Sequence, residues 1–331
     1  MKITKIFITI LFLFYLPANS SNSDFNEWLK NFKKYALKKN ISENTFDMAM
    51  SEVVFLPKVI KYDRYQPEFY EDTKTYISKR TSKKKVEKGI SLYQNNNQFI
   101  NSVDKKFSVE KSLLLALMGI ETNFGTYVGK MDILSSLATL SFDKRRSEFF
   151  TNELITILQL VEAGIIDYKI LYGSWAGAFG NFQFMPSTIS KYAIDYNQNS
   201  IIELKSIEDS FASAANYINK IGWKKNAPCF IKVKLAQNTP KKLLNTSAKK
   251  INNKDKFKNL KKYIYDYKDI EINDDLIGAI ITPDKDIIPN SENLEPAYIV
   301  FENYEKVLQW NRSLRFGLAV CTLKNKFENE L

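Results

Sequence analysis

The stretch LLLALMGIETNFG, residues 113–125, is an apolar run that stops on one carboxylic acid, Glu121, followed by the turn formers Asn123 and Gly125. Apolar side chains at 113, 114, 117, 118 and 120 predict a helix with a face wide enough to be buried. Ser108 reads as its N-cap, with Glu110 in the first turn, where a negative charge suits the helix dipole. Glu121 falls in the last turn, at the negative end of the dipole. Burial and that dipole both disfavour an ionised carboxylate, so a raised pKa is expected. A carboxyl held protonated near neutral pH can act as a general acid. The same pattern also suits an exposed carboxylate at a frayed helix end, and the stretch alone does not choose.

The chain has 331 residues, enough for about two domains or one domain with a large insertion. With 44% hydrophobic residues it can bury a substantial core. Lys and Arg number 48 against 37 Asp and Glu, a net charge of +11. That excess fits a polyanionic partner such as nucleic acid, an anionic membrane face or a cell-wall polymer, and fits equally a general Lys- and Asn-rich bias. Histidine is absent, which excludes Ser-His-Asp triads, Cys-His dyads and His-bearing metal sites. Acid–base chemistry must rest on Asp, Glu, Tyr, Lys or a hydroxyl. Cys229 and Cys321 have no metal-ligand spacing. A disulfide between them is open in an oxidising compartment, but sequence leaves their distance undetermined.

Residues 1–20 read as a secretory signal peptide. Lys2 and Lys5 precede an apolar run over 6–16, too short to span a bilayer comfortably, and Ala18, Asn19 and Ser20 offer small residues for cleavage. An uncleaved anchor is the alternative; no cysteine stands there for a lipid. A periplasmic location is expected. Helices are expected over 24–39 and 42–54, with Trp28, Phe32 and Tyr35 on one face of the first. YDRYQPEFYEDTKTYI, 62–77, reads as a structured loop broken by Pro67 and leading into a helix. Further helices are expected over 82–104, 108–121, 131–140 and 145–163. YGSWAGAFGNFQFMPST, 172–188, is rich in small residues; Gly173, Gly177 and Gly180 permit close backbone approach, and Pro186 suits the start of a helix to about 194. Ser206 with Asp209 signals the cap of a helix ending near Gly222. Over 226–300 the alternating pieces FIKVKL and AYIVF read as strands around a Lys/Asn-rich stretch at 240–262. Residues 313–329 return to helix. The expected division is 1–20 signal peptide, 21–225 catalytic α domain with N-terminal helices, 226–300 small β-containing subdomain, and 301–331 a segment returning to the catalytic domain.

Cleaving a glycosidic bond needs an acid for the leaving oxygen and stabilisation of an oxocarbenium-like centre. One carboxylate suffices if the substrate's own groups complete the reaction. ETNFG at 121–125, LATLSF at 137–142, GSWAGAFGNFQFMPST at 173–188 and WNRS at 310–313, with QPEF at 66–69 and ANY at 215–217, occur in one order. Together they resemble the lytic murein transglycosylase B family, from about residue 24 to the C-terminus and most weakly over 230–300. The resemblance implies a mainly α fold: a lysozyme-like α domain with a helical extension and a small β-containing subdomain. It implies that Glu121 is the only catalytic acid/base, first acid and then base, cutting the MurNAc–GlcNAc β-1,4 bond of peptidoglycan glycan strands to leave a 1,6-anhydro-MurNAc end. Ser174 and Gln183 match polar positions around the acid and the saccharide. Asn311 matches an amide that orients the carboxyl, Tyr76 and Tyr217 match cleft aromatics, and Arg145 and Arg146 match an arginine pair near the glycan or its peptide stem. A monomer is expected, with other cell-wall enzymes as further partners to consider and no nucleic acid, for which neither a helix-turn-helix nor an RNA-binding motif offers itself.

The chain also departs from the family. Trp310 stands where a Tyr is usual, so a hydroxyl contact is expected to be lost. Phe124 replaces a usual Trp and Asn181-Phe182 a usual Tyr-Gly, changes expected to reshape the saccharide groove. The family often carries a calcium loop after the Gln-Phe-Met-Pro helix. Here the matching stretch is DYNQNSIIEL, 195–204, where Asp195 stands with Asn197, Asn199 and, just beyond, Ser206. So few carboxylates and no central glycine predict weak or no calcium binding and no other cofactor. Two alternatives stay open: a lysozyme-like hydrolase, which needs a second carboxylate, and a murein-binding scaffold without activity.

Overall fold

A computed structural model describes residues 22–65, 71–267, 272–284 and 294–331. The expected signal peptide and the QPEF motif at 66–69 lie outside the described residues.

The N-terminal helices form a layer around one helix. α1 (Asn22–Leu37) turns Phe25, Phe32 and Ala36 inward, and Trp28 stacks on Phe32 at 5.1 Å. α2 (Glu43–Met50) is capped by Ser42, whose hydroxyl accepts the Thr45 N–H, and α3 (Pro57–Arg64) starts on a proline, whose missing N–H costs nothing in a first turn. α4 (Thr73–Arg80) is capped by Asp72. The helix expected over 82–104 is two, α5 (Lys83–Asn95) and α6 (Asn97–Phe107). The break is Asn96, whose side chain donates to the Leu92 carbonyl at 2.9 Å and so competes with the helical backbone.

α7 (Lys111–Thr122) carries the opening motif, and Leu113 to Met118 are essentially inaccessible to solvent. Its start corrects the sequence reading. Ser108 is in the left-handed region and closes α6, and Glu110 is the N-cap residue of α7. The Glu110 carboxylate is spent on tertiary structure: it accepts the Trp223 indole N–H at 2.5 Å and the Asn226 N–H at 2.7 Å. α8 (Ile133–Phe142) and α9 (Ser147–Glu162) pack together, and β1 (Met131–Asp132) pairs antiparallel with β2 (Tyr172–Gly173). α10 (Pro186–Tyr192) opens on its proline, and α11 (Ile207–Lys220) is capped by Ser206, which accepts the Asp209 N–H at 3.2 Å.

The chain then builds a small sheet from β3 (Phe230–Leu235), β4 (Leu244–Asn245), β5 (Asp255–Lys256), β6 (Ile264–Tyr267), β7 (Ile277–Ile281) and β8 (Ala297–Val300), with the short α12 (Phe257–Leu260) after β5. The order is β4-β7-β8-β3-β6, with β5 on β7; β4 and β7 are parallel and the other pairs antiparallel. FIKVKL alternates as read: Ile231, Val233 and Leu235 join a small core with Phe257 and Ile299, while Lys232 and Lys234 face out. α13 (Glu302–Trp310) and α14 (Leu314–Glu328) bring the chain back, and α14 lies along α7.

Two ties hold the sheet to the helices. Cys229 and Cys321 form a disulfide across a sequence separation of 92, joining the lead-in to β3 with α14. The buried Asp284 accepts from Arg315 at 2.9 Å and from the Thr73 hydroxyl and N–H at 2.5 and 3.0 Å, so α4, α14 and the end of β7 meet at one carboxylate. Removing the crosslink in Cys229→Ser/Cys321→Ser should lower stability by about 2–4 kcal/mol, read from the urea midpoint. Reductant should bring the wild type to the same midpoint and leave the variant unmoved.

Candidate active site

α7 ends by leaving the right-handed region abruptly. Asn123, Phe124 and Gly125 all have positive φ, at 50°, 59° and 76°, so the helix stops within one turn of Glu121. Thr122 fixes this end from inside: its hydroxyl donates to the Asn181 carbonyl at 2.8 Å and accepts the Gly125 N–H at 3.0 Å. The loop of small residues is thereby laid against the helix end. Lys85 donates to the Gly119 carbonyl at 2.6 Å and Lys88 to that of Asn123 at 2.8 Å. These ammonium groups sit on the carbonyls that make this end of the helix negative and offset the dipole the sequence reading considered alone. Burial, then Arg80 and Lys88, lowers the Lys85 pKa.

Glu121 is half-buried, and its Oε1 accepts the Trp310 indole N–H at 3.0 Å, a bond between residues 189 apart in the chain. The indole is held by other rings. Trp310 stacks on Tyr217 at 5.0 Å and 20°, and Tyr217 stacks on Tyr192 at 4.4 Å and 18°. Phe184 and Phe182 meet the indole edge-on at 5.3 and 6.2 Å. The Tyr217 hydroxyl donates to the Gln309 carbonyl at 3.1 Å, which ties the stack to the last turn of α13. Such a wall is rigid, because each ring blocks the rotation of the next.

The remaining expected site residues are each held by contacts of their own. Asn311 follows Trp310 directly, half-buried, and its N–H donates to the Val307 carbonyl to close α13; the side-chain bond to Glu121 comes from Trp310. Gln183, with φ 50°, donates its amide to the Gly180 and Val128 carbonyls at 2.9 and 3.2 Å and holds the glycine loop to the loop after α7. The Ser174 hydroxyl accepts the Ala178 N–H at 2.9 Å, folding the same loop back on itself. Tyr76 is buried on α4 with the Arg80 guanidinium 3.5 Å over its ring. Arg145 and Arg146 converge on the buried Asp63 carboxylate: Arg145 Nε donates to Oδ2 at 2.7 Å and Arg146 Nη2 to Oδ1. Tyr62, exposed, lies 6.4 Å from the Trp175 ring nearby.

The residues that depart from the family pattern are buried: Phe124 packs on Phe327 at 6.3 Å and Phe182 on Phe211 at 5.3 Å. Asn181 is buried too, and its amide holds the Lys205 carbonyl and the Ser210 hydroxyl, both at 3.1 Å. Trp310 was noted only for the hydroxyl it lacks; its indole N–H bonds Glu121. Asp63 was missed, although it sits in the quoted YDRYQPEF run.

Around Asp195 the loop's oxygens are turned to its own backbone. Asp195 accepts the Asn199 and Ser200 N–H groups at 3.1 and 2.7 Å, and the buried Asp209 accepts those of Tyr196 and Glu203, both at 2.9 Å. Asn197 and Asn199 side-chain oxygens accept N–H groups from Asn199 and Ile201. This donor set does not fit a calcium cage, which needs several carboxylate and carbonyl oxygens aimed at one point. Among the described residues no group of three or more His, Cys, Asp or Glu could hold a metal ion.

A half-buried acid at the end of a buried helix, bonded to a stacked indole and with a glycine loop laid against the helix end, is an arrangement suited to acid–base chemistry. The chain belongs to the transglycosylase SLT domain family, whose match runs over residues 24–325. It is 36% identical over 151 residues to the membrane-bound lytic murein transglycosylase B of Escherichia coli strain K12, a match covering 45% of this chain and 42% of that protein's length. Its structure is similar to SltB3 from Pseudomonas aeruginosa in complex with NAG-NAM-pentapeptide, with TM-score 0.81 and 27% identity over 92% of this chain and 79% of that one. The Escherichia coli lytic transglycosylase SLT35 in complex with calcium shares the fold, with TM-score 0.76 and 23% identity over 91% and 93% of the two chains. The fold is thus the mainly α, lysozyme-like one that the motifs implied.

Burial, and then Tyr192 beside it, pushes the Tyr217 hydroxyl up to about 12, and burial does the same for Tyr298. A raised tyrosine pKa means that the folded state keeps a proton the unfolded chain gives up near 10. The stabilisation is complete below about 10 and lost as pH rises through about 12. Thermal melts across that window should show a flat midpoint up to about 10 and a steep fall above it.

Proposed function

We propose that this protein is a periplasmic lytic transglycosylase that cuts the MurNAc–GlcNAc β-1,4 bond of peptidoglycan glycan strands, with Glu121 as its single acid and base. The observation that carries the reading is the indole-held Glu121 carboxyl at the end of α7, in a chain of this family. Glu121 gives its proton to the glycosidic oxygen as the bond from C1 breaks, and the GlcNAc end departs as an alcohol. The acetamido carbonyl of the muramyl residue closes on C1 and shares the positive charge. Glu121, now a carboxylate steadied by the Trp310 N–H, takes the proton of the 6-hydroxyl. That oxygen attacks C1, expels the acetamido oxygen and closes the 1,6-anhydro ring. No water enters, and the acid is regenerated.

The location is supported by the Cys229–Cys321 disulfide, which an oxidising compartment maintains, and by the basic and apolar N-terminal pattern. Among the described residues no helix is long and apolar enough to cross a membrane. Murein is the proposed partner, and a monomer is the proposed state.

Soluble product from purified murein, resolved by mass spectrometry, tests the reading with two variants side by side. Glu121→Gln should bind murein and lose roughly a thousandfold or more in release. Trp310→Phe keeps an aromatic ring in the stack but loses the donor, and should lose about tenfold or more in turnover with binding kept. Wild-type products should carry 1,6-anhydro ends. Reducing ends would identify a hydrolase instead, and binding without release a scaffold.

We also propose that the 195–209 loop keeps its shape without calcium, because backbone amides already occupy its carboxylates. Chelation should leave the melting midpoint and the release rate unchanged. A midpoint that rises with millimolar calcium would refute this.

A further inference from the structure

The strand FIKVKL has two faces. Ile231, Val233 and Leu235 fill the small core, and the opposite face carries Phe230, Lys232 and Lys234. That face borders a cleft of about 740 Å³ whose other wall is α4 and α14, a size common for small-ligand sites. Ile77 of α4, Phe230, Pro296 and Tyr298 supply its apolar lining, and Lys74 of α4 stands with Lys232 and Lys234 among its charged residues. Neither Glu121 nor Trp310 is among its described lining residues.

The disulfide and the Asp284 cluster set the width of this cleft. Cys229 precedes Phe230 on the sheet wall, and Cys321 precedes Thr322 on the helix wall. Asp284, bonded to Thr73 and Arg315, fixes the start of α4 beside Lys74 to α14. Lys74 and Lys232 are exposed and have no ion-pair partner among the described residues, whereas Lys234 is held by Asp266 at 2.9 Å. Glu295 is the only carboxylate among the described lining residues. Tyr298 stands opposite Lys232 in the β3–β8 ladder, so the two side chains share one face. Its ring meets Phe230 edge-on at 5.3 Å. It is 5% exposed, and its hydroxyl makes no hydrogen bond to any described residue. A buried hydroxyl without a partner costs free energy that a ligand acceptor recovers. Burial, and then Asp284, pushes that hydroxyl up to about 12, so it stays a neutral donor near neutral pH.

We propose that this cleft binds a single-chain amphiphilic carboxylate of the fatty-acid class. The carboxylate pairs with the ammonium groups of Lys74 and Lys232 from the two walls and accepts the Tyr298 hydroxyl. The chain lies along Ile77, Phe230 and Pro296, which takes apolar surface of both partners out of water. A peptide fits less well, because β3 is already paired on both sides, by β8 and β6, and offers its backbone no free strand edge. A small inorganic anion would leave the apolar lining uncovered. The site does not depend on Glu121, so it stands whether or not the chain cuts murein.

The test titrates laurate, kept below its micelle concentration, into the full chain by calorimetry near neutral pH. Laurate should saturate a single site, and acetate, which lacks the apolar chain, should give no measurable heat. Lys74→Ser/Lys232→Ser should bind laurate about fivefold or more weakly. Tyr298→Phe loses a hydroxyl that bonds nothing in the fold, so it should keep the wild-type melting midpoint and bind laurate about threefold or more weakly. Lys249→Ser/Lys250→Ser removes the same charge elsewhere and should bind laurate as the wild type does. An equal loss in the two lysine pairs would mean diffuse attraction and overturn the proposal. So would the absence of saturable laurate binding, association with anionic vesicles alone, or unchanged affinity in either cleft variant.

Discussion

The hydrogen bond from Trp310 to Glu121 joins residues 189 positions apart, and its 3.0 Å length survives only while both partners stay in place. On one side, the buried α7 fixes the carboxylate. On the other, the indole plane is set by its stack on Tyr217 and by the edges of Phe182 and Phe184. The start of α13 is anchored by Asn303, whose amide holds the Lys224 and Ala227 carbonyls at 2.8 and 3.0 Å and accepts the Lys224 N–H at 2.9 Å. Tyr304, fully buried, donates to the Leu314 carbonyl at 2.7 Å across the turn into α14. The sheet between α11 and α13 thus helps to deliver Trp310, at the end of α13, to Glu121.

A neutral donor suits the acid-then-base role proposed for Glu121. A lysine or arginine at the same distance would stabilise only the ionised form and would oppose reprotonation. An indole N–H bonds to either protonation state and shifts the balance less. The cations near this helix end, Lys85 and Lys88, are instead spent on the backbone carbonyls of Gly119 and Asn123. They cancel the local dipole without pairing with the acid. The sequence argument, built on burial and dipole alone, did not contain these two lysines.

Features carried by local chemistry were legible in the sequence. The apolar run of α7, the proline start of α10, the Ser206–Asp209 cap and the FIKVKL alternation each follow from side chains within one or two turns of each other. What sequence misplaced depends on distant partners. Glu110 left the first turn for the N-cap position because Trp223 and Asn226, more than a hundred residues on, claim its carboxylate. Phe124 and Phe182 could be picked out as departures from the motif, but not their packing on Phe327 and Phe211. Trp310 could be noticed in the sequence; the aim of its N–H could not, because three separated segments set it.

The +11 charge, ambiguous between bias and function, separates in three dimensions. Many lysines are paired locally at the surface and add nothing to the excess: Lys33 with Glu43 and Asp47, Lys256 and Lys258 with Asp275, Lys261 with Asp274. Such exposed pairs contribute little to stability and are what a lysine-rich composition produces by default. Two places differ. Arg145 and Arg146 share one buried carboxylate, Asp63, so the trio keeps one net positive charge with both guanidinium groups partly exposed. Beside the aromatic stack, Lys249, Lys250, Lys254 and Arg312 line one pocket with a single, paired carboxylate among its described lining residues. Part of the excess charge is thus gathered beside the rings rather than paired off among the described residues.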